Sequence, residues 1–373
     1  ETQRDGGAHA MTVLGPVPLD GRSGRVTQTA KELRVVLFGV GVIGGGVLRL
    51  AQTRPRLRIV GAVVRRPELH GTPARELIAD APADLVLSID GAAVLRDQRP
   101  DVVLIATRSR LHEVLPQLRL ASEAGSAIGC TAEELAYITP DDGADAREIF
   151  GLAEKHGVGI TAIGINPGFL LDVWPLLLSS LAQDVKSIQA ERAVDLSGFG
   201  PTVRASLGVG YSPEAFEREL ARGTIAGHLG FRESLRLIGN AIGRPVDDTS
   251  VVTQPILAIG PRQLLDGELQ AGQTAGVRQV ATGRTKGTEW LRLTMTASVS
   301  LDEAGVAPLD RVEISGTTNL SAVISPGIGA VAGTVGRIVN AIPAIAAATP
   351  GVHTALELGI TPPGLIPAWG GAR

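Results

Sequence analysis

Hydrophobic and polar positions follow two different rhythms along this chain. In the first, short unbroken apolar runs stop at glycine or polar residues and give way to helical spacing. "LRVVLFGVGVIGGGVLRLAQ" reads as strand, tight turn and helix. "LRIVGAVVRRP", "DLVLSID", "PDVVLIATRS", "SAIGCT" and "VGITAIGINPGF" read as five further strands. Helices are predicted over "LHEVLPQLRLASEAG", despite Pro116, and over "ADAREIFGLAEKHG", with stops at Gly125 and Gly157. Strands alternating with helices predict an α/β fold with a Rossmann-type, doubly wound parallel sheet over residues 31–165. The near-continuous apolar character of the strands suits burial on both faces.

The second rhythm is period two. In "TEWLRLTMTASVS", Leu291, Leu293, Met295, Ala297 and Val299 face one way, and Arg292, Thr294 and Thr296 the other. "DRVEIS" repeats the pattern with Val312 and Ile314. Such strands belong to a mixed or antiparallel sheet with one covered face, placed here in a second, α+β domain over residues 166–330 for substrate binding and dimerisation. "SPEAFERELARG" and "GFRESLRLIGNAIG" are predicted helices of that domain. "IGAVAGTVGRIVNAIPAIAAATPG" predicts tightly packed helix in a C-terminal segment, residues 331–373, returning to the parallel sheet. Residues 1–30 are polar and read as a flexible tail.

Composition narrows the function classes. The 373 residues are 44% hydrophobic and 20% charged with a net charge of −3, which argues against a nucleic-acid surface or an anionic membrane partner. No window offers the uninterrupted apolar length of a membrane span. A single cysteine, Cys130, excludes an internal disulfide and fits a reducing, cytoplasmic setting. Six histidines and one cysteine, scattered, make no metal-ligand cluster.

"GVGVIG" sets Gly39, Gly41 and Gly44, with Val42 and Ile43 between, in dinucleotide-binding spacing after a strand and before a helix. The second strand ends with Val64 where NAD sites often carry an acid, followed by Arg65 and Arg66. Guanidinium groups there favour a ribose phosphate, hence NADP(H), with NAD(H) the alternative. Thr107, Arg108 and Ser109 end the fourth strand, where they line the nicotinamide ribose or, for Ser109, cap a helix. Asn166 in "INPGF" offers donor and acceptor toward the nicotinamide, or simply ends a strand in a turn. Scarce aromatics converge on the middle of the chain: Phe169, Trp174, Phe199 and Tyr211 are core, or the wall of a substrate pocket.

The doublet Glu133–Glu134 follows the fifth strand. First-turn glutamates favour a helix dipole, and Thr131 with Glu134 has capping-box spacing, which explains Glu134 better than Glu133. "FGVGVIGGG", "CTAEEL", "IGINPGFLLDVWP", "GHLGFRES" and "VNAIPAIAAATPGV" together resemble the 2,4-diaminopentanoate dehydrogenase-like group, which includes native amine dehydrogenases and is related in fold to dihydrodipicolinate reductases. The resemblance implies reductive amination of small ketones or aldehydes with ammonia, or deamination of primary amines, by a homodimer using NAD(P). It also implies that a glutamate of the "EEL" region handles protons, Glu133 first and Glu134 second, and raises His228 to a site candidate. "VVRRP" and "GCTA" depart from the commoner pattern, the first putting NAD preference in doubt. Two other readings stand: a cyclic-imine reductase or amino-acid dehydrogenase, with Arg108, Arg192 or Arg204 meeting a substrate carboxylate, and a non-catalytic NADP-binding sensor.

Overall fold

A computed structural model describes residues 32–264 and 267–363, so the tail expected over residues 1–30 and the last ten residues lie outside it. The chain opens as read: β1 (Leu33–Phe38), α1 (Val42–Ala51) and β2 (Leu57–Val63). There follow β3 (Leu87–Ser88), α2 (Gly91–Gln98), β4 (Val102–Ile105), α3 (Leu111–Glu123), β5 (Ala127–Cys130), α4 (Ala144–His156) and β6 (Gly159–Ala162). The expected third strand shrinks to two residues. It sits on the sheet edge beyond β2, where Leu85 and Leu87 are buried in the core but Val86 and Ile89 are exposed, so only one side of its apolar pattern is covered.

The second half contributes α5 (Val173–Ser179), β7 (Ser187–Asp195), α6 (Pro201–Ser206), α7 (Pro213–Ala221), α8 (Phe231–Ala241), β8 (Asp248–Leu257), β9 (Arg262–Leu264) and β10 (Gly267–Leu269). Then come β11 (Thr274–Thr285), β12 (Thr288–Ser298), β13 (Leu309–Ser315), β14 (Leu320–Ile324), α9 (Ala330–Ala346), β15 (Gly351–His353) and α10 (Ala355–Leu358).

Among the described residues, a parallel sheet runs in the order β15-β6-β5-β4-β1-β2-β3 and a mixed sheet in the order β14-β13-β7-β12-β11-β8. In the first, β2 and β4 flank β1, so the strand order reverses there and opens a crevice at the carboxyl ends, where α/β proteins bind ligands. Helix α9 lies across the first sheet beside α1, burying Val335, Ile338, Val339 and Ile342, and β15 then pairs with β6.

In the second sheet β7 runs parallel to β12 and antiparallel to β13. Its inner face, with Ile188, Ala190, Leu291, Leu293 and Val312, packs against Trp174 of α5 and Phe231, Leu235 and Ile238 of α8. One expectation fails in detail. Thr294 and Thr296, assigned to a solvated face, are buried, with Thr296 only 1% exposed. Strand β12 is interior, flanked by β7 and β11, and neighbours on both sides cover side chains this short.

Candidate active site

The glycine loop follows from the turn it must make. Gly39 has φ +93°, a conformation that side chains disfavour, and a Cβ on Gly44 would run into the Gly39 carbonyl. A Cβ at Gly41 would meet nothing within 4 Å, which leaves backbone open to a ligand. Helix α1 starts there with no side-chain cap and no acid in its first turn, so its first N–H groups stay available to an anion. After β6, three strands from β1 along the same sheet, a backbone-on-backbone turn carries Asn166. Gly168 has φ +115° and closes directly on Gly164, and the buried Asn166 Oδ1 has no hydrogen-bond partner. A diphosphate at α1 and an amide N–H at Asn166 would satisfy these orphans, so the residues present fit a dinucleotide.

On the same rim, residues 133–135 form a single 3-10 turn after β5. Glu133 reaches into the junction between the sheets, its side chain 20% exposed. Oε1 accepts from the Ser109 hydroxyl at 2.9 Å. Oε2 accepts from the N–H groups of Leu229 at 3.0 Å and Gly230 at 3.4 Å, and lies 2.6 Å from Nδ1 of His228. Burial pushes this carboxyl upward, but the His228 ring, the Ser109 hydroxyl and the Leu229 N–H together hold it below the usual carboxylate range. Glu133 is therefore an anion at neutral pH.

His228 is held from three sides. Its backbone N–H donates to Gln279 Oε1 at 2.7 Å, and Gln279 Nε2 in turn donates to Thr253 Oγ1. The edge of Phe231 meets the ring at a centroid distance of 4.6 Å. Nearby, the fully buried Asp172 caps α5 by accepting from Val173 N, and also accepts from Gly168 N and Ser234 Oγ. It ties the Asn166 turn to the start of α8. Burial raises its pKa against those bonds.

Residues 169–366 match the 2,4-diaminopentanoate dehydrogenase C-terminal domain family. The 2,4-diaminopentanoate dehydrogenase of Acetoanaerobium sticklandii is 32% identical over 333 residues, spanning 88% of this chain and 94% of that protein. The chain belongs to the 2,4-diaminopentanoate dehydrogenase family. An amine dehydrogenase of Streptomyces virginiae is 24% identical over 88% of the chain and 97% of its own length. In fold, the amine dehydrogenase from Mycobacterium smegmatis superposes with a TM-score of 0.78 at 24% identity, over 89% of this chain and 98% of that one. Membership makes this protein a dehydrogenase on the scaffold described above.

Within this family member, several sequence-predicted residues meet. Gly39, Gly41, Val42, Ile43 and Gly44 form the loop and first turn of α1, and Thr107 packs its methyl toward Gly39 and donates to Gln117. Ser109, Glu133 and His228 are in direct contact. Arg65 and Arg66 stand exposed after β2, with Arg66 3.9 Å from Glu68, and Arg108 lies 3.7 Å from Glu113.

Other readings are corrected. No capping box joins Thr131 and Glu134, because the segment is one 3-10 turn and not a helix start. Glu134 instead accepts from Leu111 N at 2.9 Å and pairs with Arg110 at 3.4 Å, capping α3 from outside. Ser109 is not the cap of α3, which is Arg110. Phe169 and Trp174 share the cluster under the mixed sheet, whereas Phe199 and Tyr211 join a separate one around Phe216 and Val277. The four aromatics therefore do not line one wall.

Sequence reasoning missed Asp172, Glu233 and Gln279. Asp172 and Glu233 lay inside stretches quoted for the family resemblance, but each has an ordinary helix-end reading. Gln279 carried no signal. Cys130, beside the doublet, is fully buried with its thiol pushed up to about 12, so it is no nucleophile.

Proposed function

We propose that the protein is an amine dehydrogenase that prefers NADP(H), reductively aminating small ketones and aldehydes with ammonia and oxidising the matching primary amines. The observation that carries this reading is Glu133, a mostly buried carboxylate on the same sheet rim as the glycine loop. The names of the two curated relatives support it.

The N-terminus of α1 and the Gly39–Gly44 loop would hold the diphosphate, Arg65 and Arg66 the ribose phosphate, and Asn166 the carboxamide. Bound there, a nicotinamide supplies or takes up hydride. The remaining chemistry belongs to side chains. Oε2 of Glu133 is crowded by His228, Leu229 and Gly230, whereas Oε1 meets Ser109 alone, so Oε1 is the oxygen that faces substrate. It accepts a proton from ammonium, freeing ammonia to attack the carbonyl, and returns it as the carbinolamine loses water. The negative charge then steadies the iminium in a site with little water. Phe169 and Trp174, which share one buried cluster, would border the substrate's carbon chain.

A substrate bearing its own carboxylate would want a cation. Arg192 is buried and already committed to Asp310 at 3.2 Å and the Ile328 carbonyl at 2.6 Å, and Arg108 lies beside Glu113. The commitments of Arg192 and Arg108 support simple carbonyl compounds over keto acids, and Arg204, buried in α6, is the cation a keto acid would have to reach. A homodimer is expected as the working form.

The test is NADPH absorbance with high ammonium and a panel of ketones, aldehydes and 2-keto acids. Ammonium-dependent oxidation with ketones or aldehydes is expected. Turnover confined to keto acids would favour an amino-acid dehydrogenase, and none at all a cofactor-binding protein without this activity.

A further inference from the structure

Residues 222–230, between α7 and α8, belong to no helix or strand, and Gly223 and Gly227 among them have positive φ. Connections of this kind are ordinarily the mobile parts of a fold. Yet three consecutive residues at its end, His228, Leu229 and Gly230, supply the ring nitrogen and the two N–H groups that meet Oε2 of Glu133. A carboxylate held in this way is only as well placed as the loop that holds it.

Gln279 of β11, 2% exposed, fastens that loop to the mixed sheet. A backbone N–H can only donate, so the amide oxygen of Gln279 takes the His228 N–H at 2.7 Å. The amide nitrogen then turns to Thr253 Oγ1 at 3.1 Å. Thr253 lies opposite Gln279 in the register of β8 and β11, so both ends of the amide are fixed. The fit extends to Gly227, which has φ +61° and where a Cβ would run into the Gln279 amide. Every step from Thr253 through Gln279 and His228 to Glu133 is a direct contact.

This rests on the amine dehydrogenase reading: we propose that Gln279 is a positioning residue for the reaction, setting the cradle at residues 228–230 and through it the place of Glu133. It touches no reacting atom. The ionisable groups around the His228 ring are Glu133, Asp172 and Glu233, with Glu134 acting on Glu233. Gln279 is neutral, so replacing it removes no charge from that set. A loosened cradle would take from Glu133 the ring and N–H contacts that offset its burial, and its pKa would rise.

The experiment compares wild type with Gln279→Met, which keeps the length but not the acceptor, Gln279→Glu, which keeps the acceptor, and Thr253→Val, which removes the outer support. Ammonium-dependent NADPH oxidation is followed across pH, NADPH affinity is measured, and the imidazole proton between His228 and Glu133 is observed by proton NMR, identified by its absence in Glu133→Gln. Gln279→Met should lose roughly ten- to a hundredfold in kcat, the scale of a misplaced catalytic group, with NADPH affinity unchanged. Its acid limb should move to higher pH and its imidazole proton upfield. Gln279→Glu should recover most of kcat and the proton signal. Thr253→Val should show a smaller loss in the same direction, and carries the test if the methionine variant does not fold. A Gln279→Met enzyme with the wild-type rate, acid limb and proton signal overturns the proposal. So does a lower rate with limb and proton unmoved, which marks a purely structural role. A wild type that never oxidises NADPH with ammonium overturns the amine dehydrogenase reading instead, and the proton signal alone then decides whether Gln279 places Glu133.

Discussion

Glu133 and Glu134 are one position apart and meet entirely different donors. The 3-10 turn sends Glu133 toward Ser109 and His228, and Glu134 toward the first N–H of α3. Glu134 therefore acts as an external helix cap. Replacing it by Ala should cost about 0.5–2 kcal/mol, as lost caps do, read from the urea midpoint, with ammonia-dependent turnover retained. Lost turnover at unchanged stability would instead assign the proton chemistry to Glu134. Environment divides the acids by pH as well. Glu133, held below its usual range, adds stability at higher pH that is lost as pH falls through its lowered value. Glu233 is the reverse. Its share is fully present in acid and is lost as pH rises through about 7. Two carboxyls near one imidazole are thus pushed apart, one toward the ionised form and one toward titration near neutrality.

At the scale of elements, the parallel strands were legible because β1, β4, β5 and β6 are buried on both faces and must be apolar throughout. Strands β7, β8 and β11 were not. "SIQAERAVD" carries Gln, Glu, Arg and Asp because one face holds the buried Arg192–Asp310 pair and the other is partly solvated. The glycine loop and the acidic doublet could be found from local spacing alone. The junction between them could not, because Gln279, His228 and Glu133 come from distant parts of the chain and meet only after both sheets form. The end of β2 carries its own prediction. Changing Arg65 and Arg66 together to Ala should weaken NADPH far more than NADH, since each lost charge-assisted contact is worth about 1.5–3 kcal/mol, or roughly ten- to a hundredfold in Kd. Equal losses for the two cofactors, measured by fluorescence titration, would remove the phosphate-reading role.

For the molecule as a whole, the site exists because the carboxyl rim of the parallel sheet meets the segment that leads into α8. The parallel sheet supplies the glycine loop, Ser109 and Glu133 from its carboxyl rim. The mixed sheet and α8 supply Gln279, His228 and the Leu229 and Gly230 N–H groups that hold Glu133 in place. Asp172 and Ser234 fasten the Asn166 turn to the same helix. The measurement that tests this account most directly is ammonium-dependent NADPH oxidation by Glu133→Gln, taken together with its NADPH affinity. The account predicts intact cofactor binding and a kcat lower by at least about a hundredfold, the scale of a lost acid–base group. A variant that binds NADPH normally and aminates at the wild-type rate would contradict it.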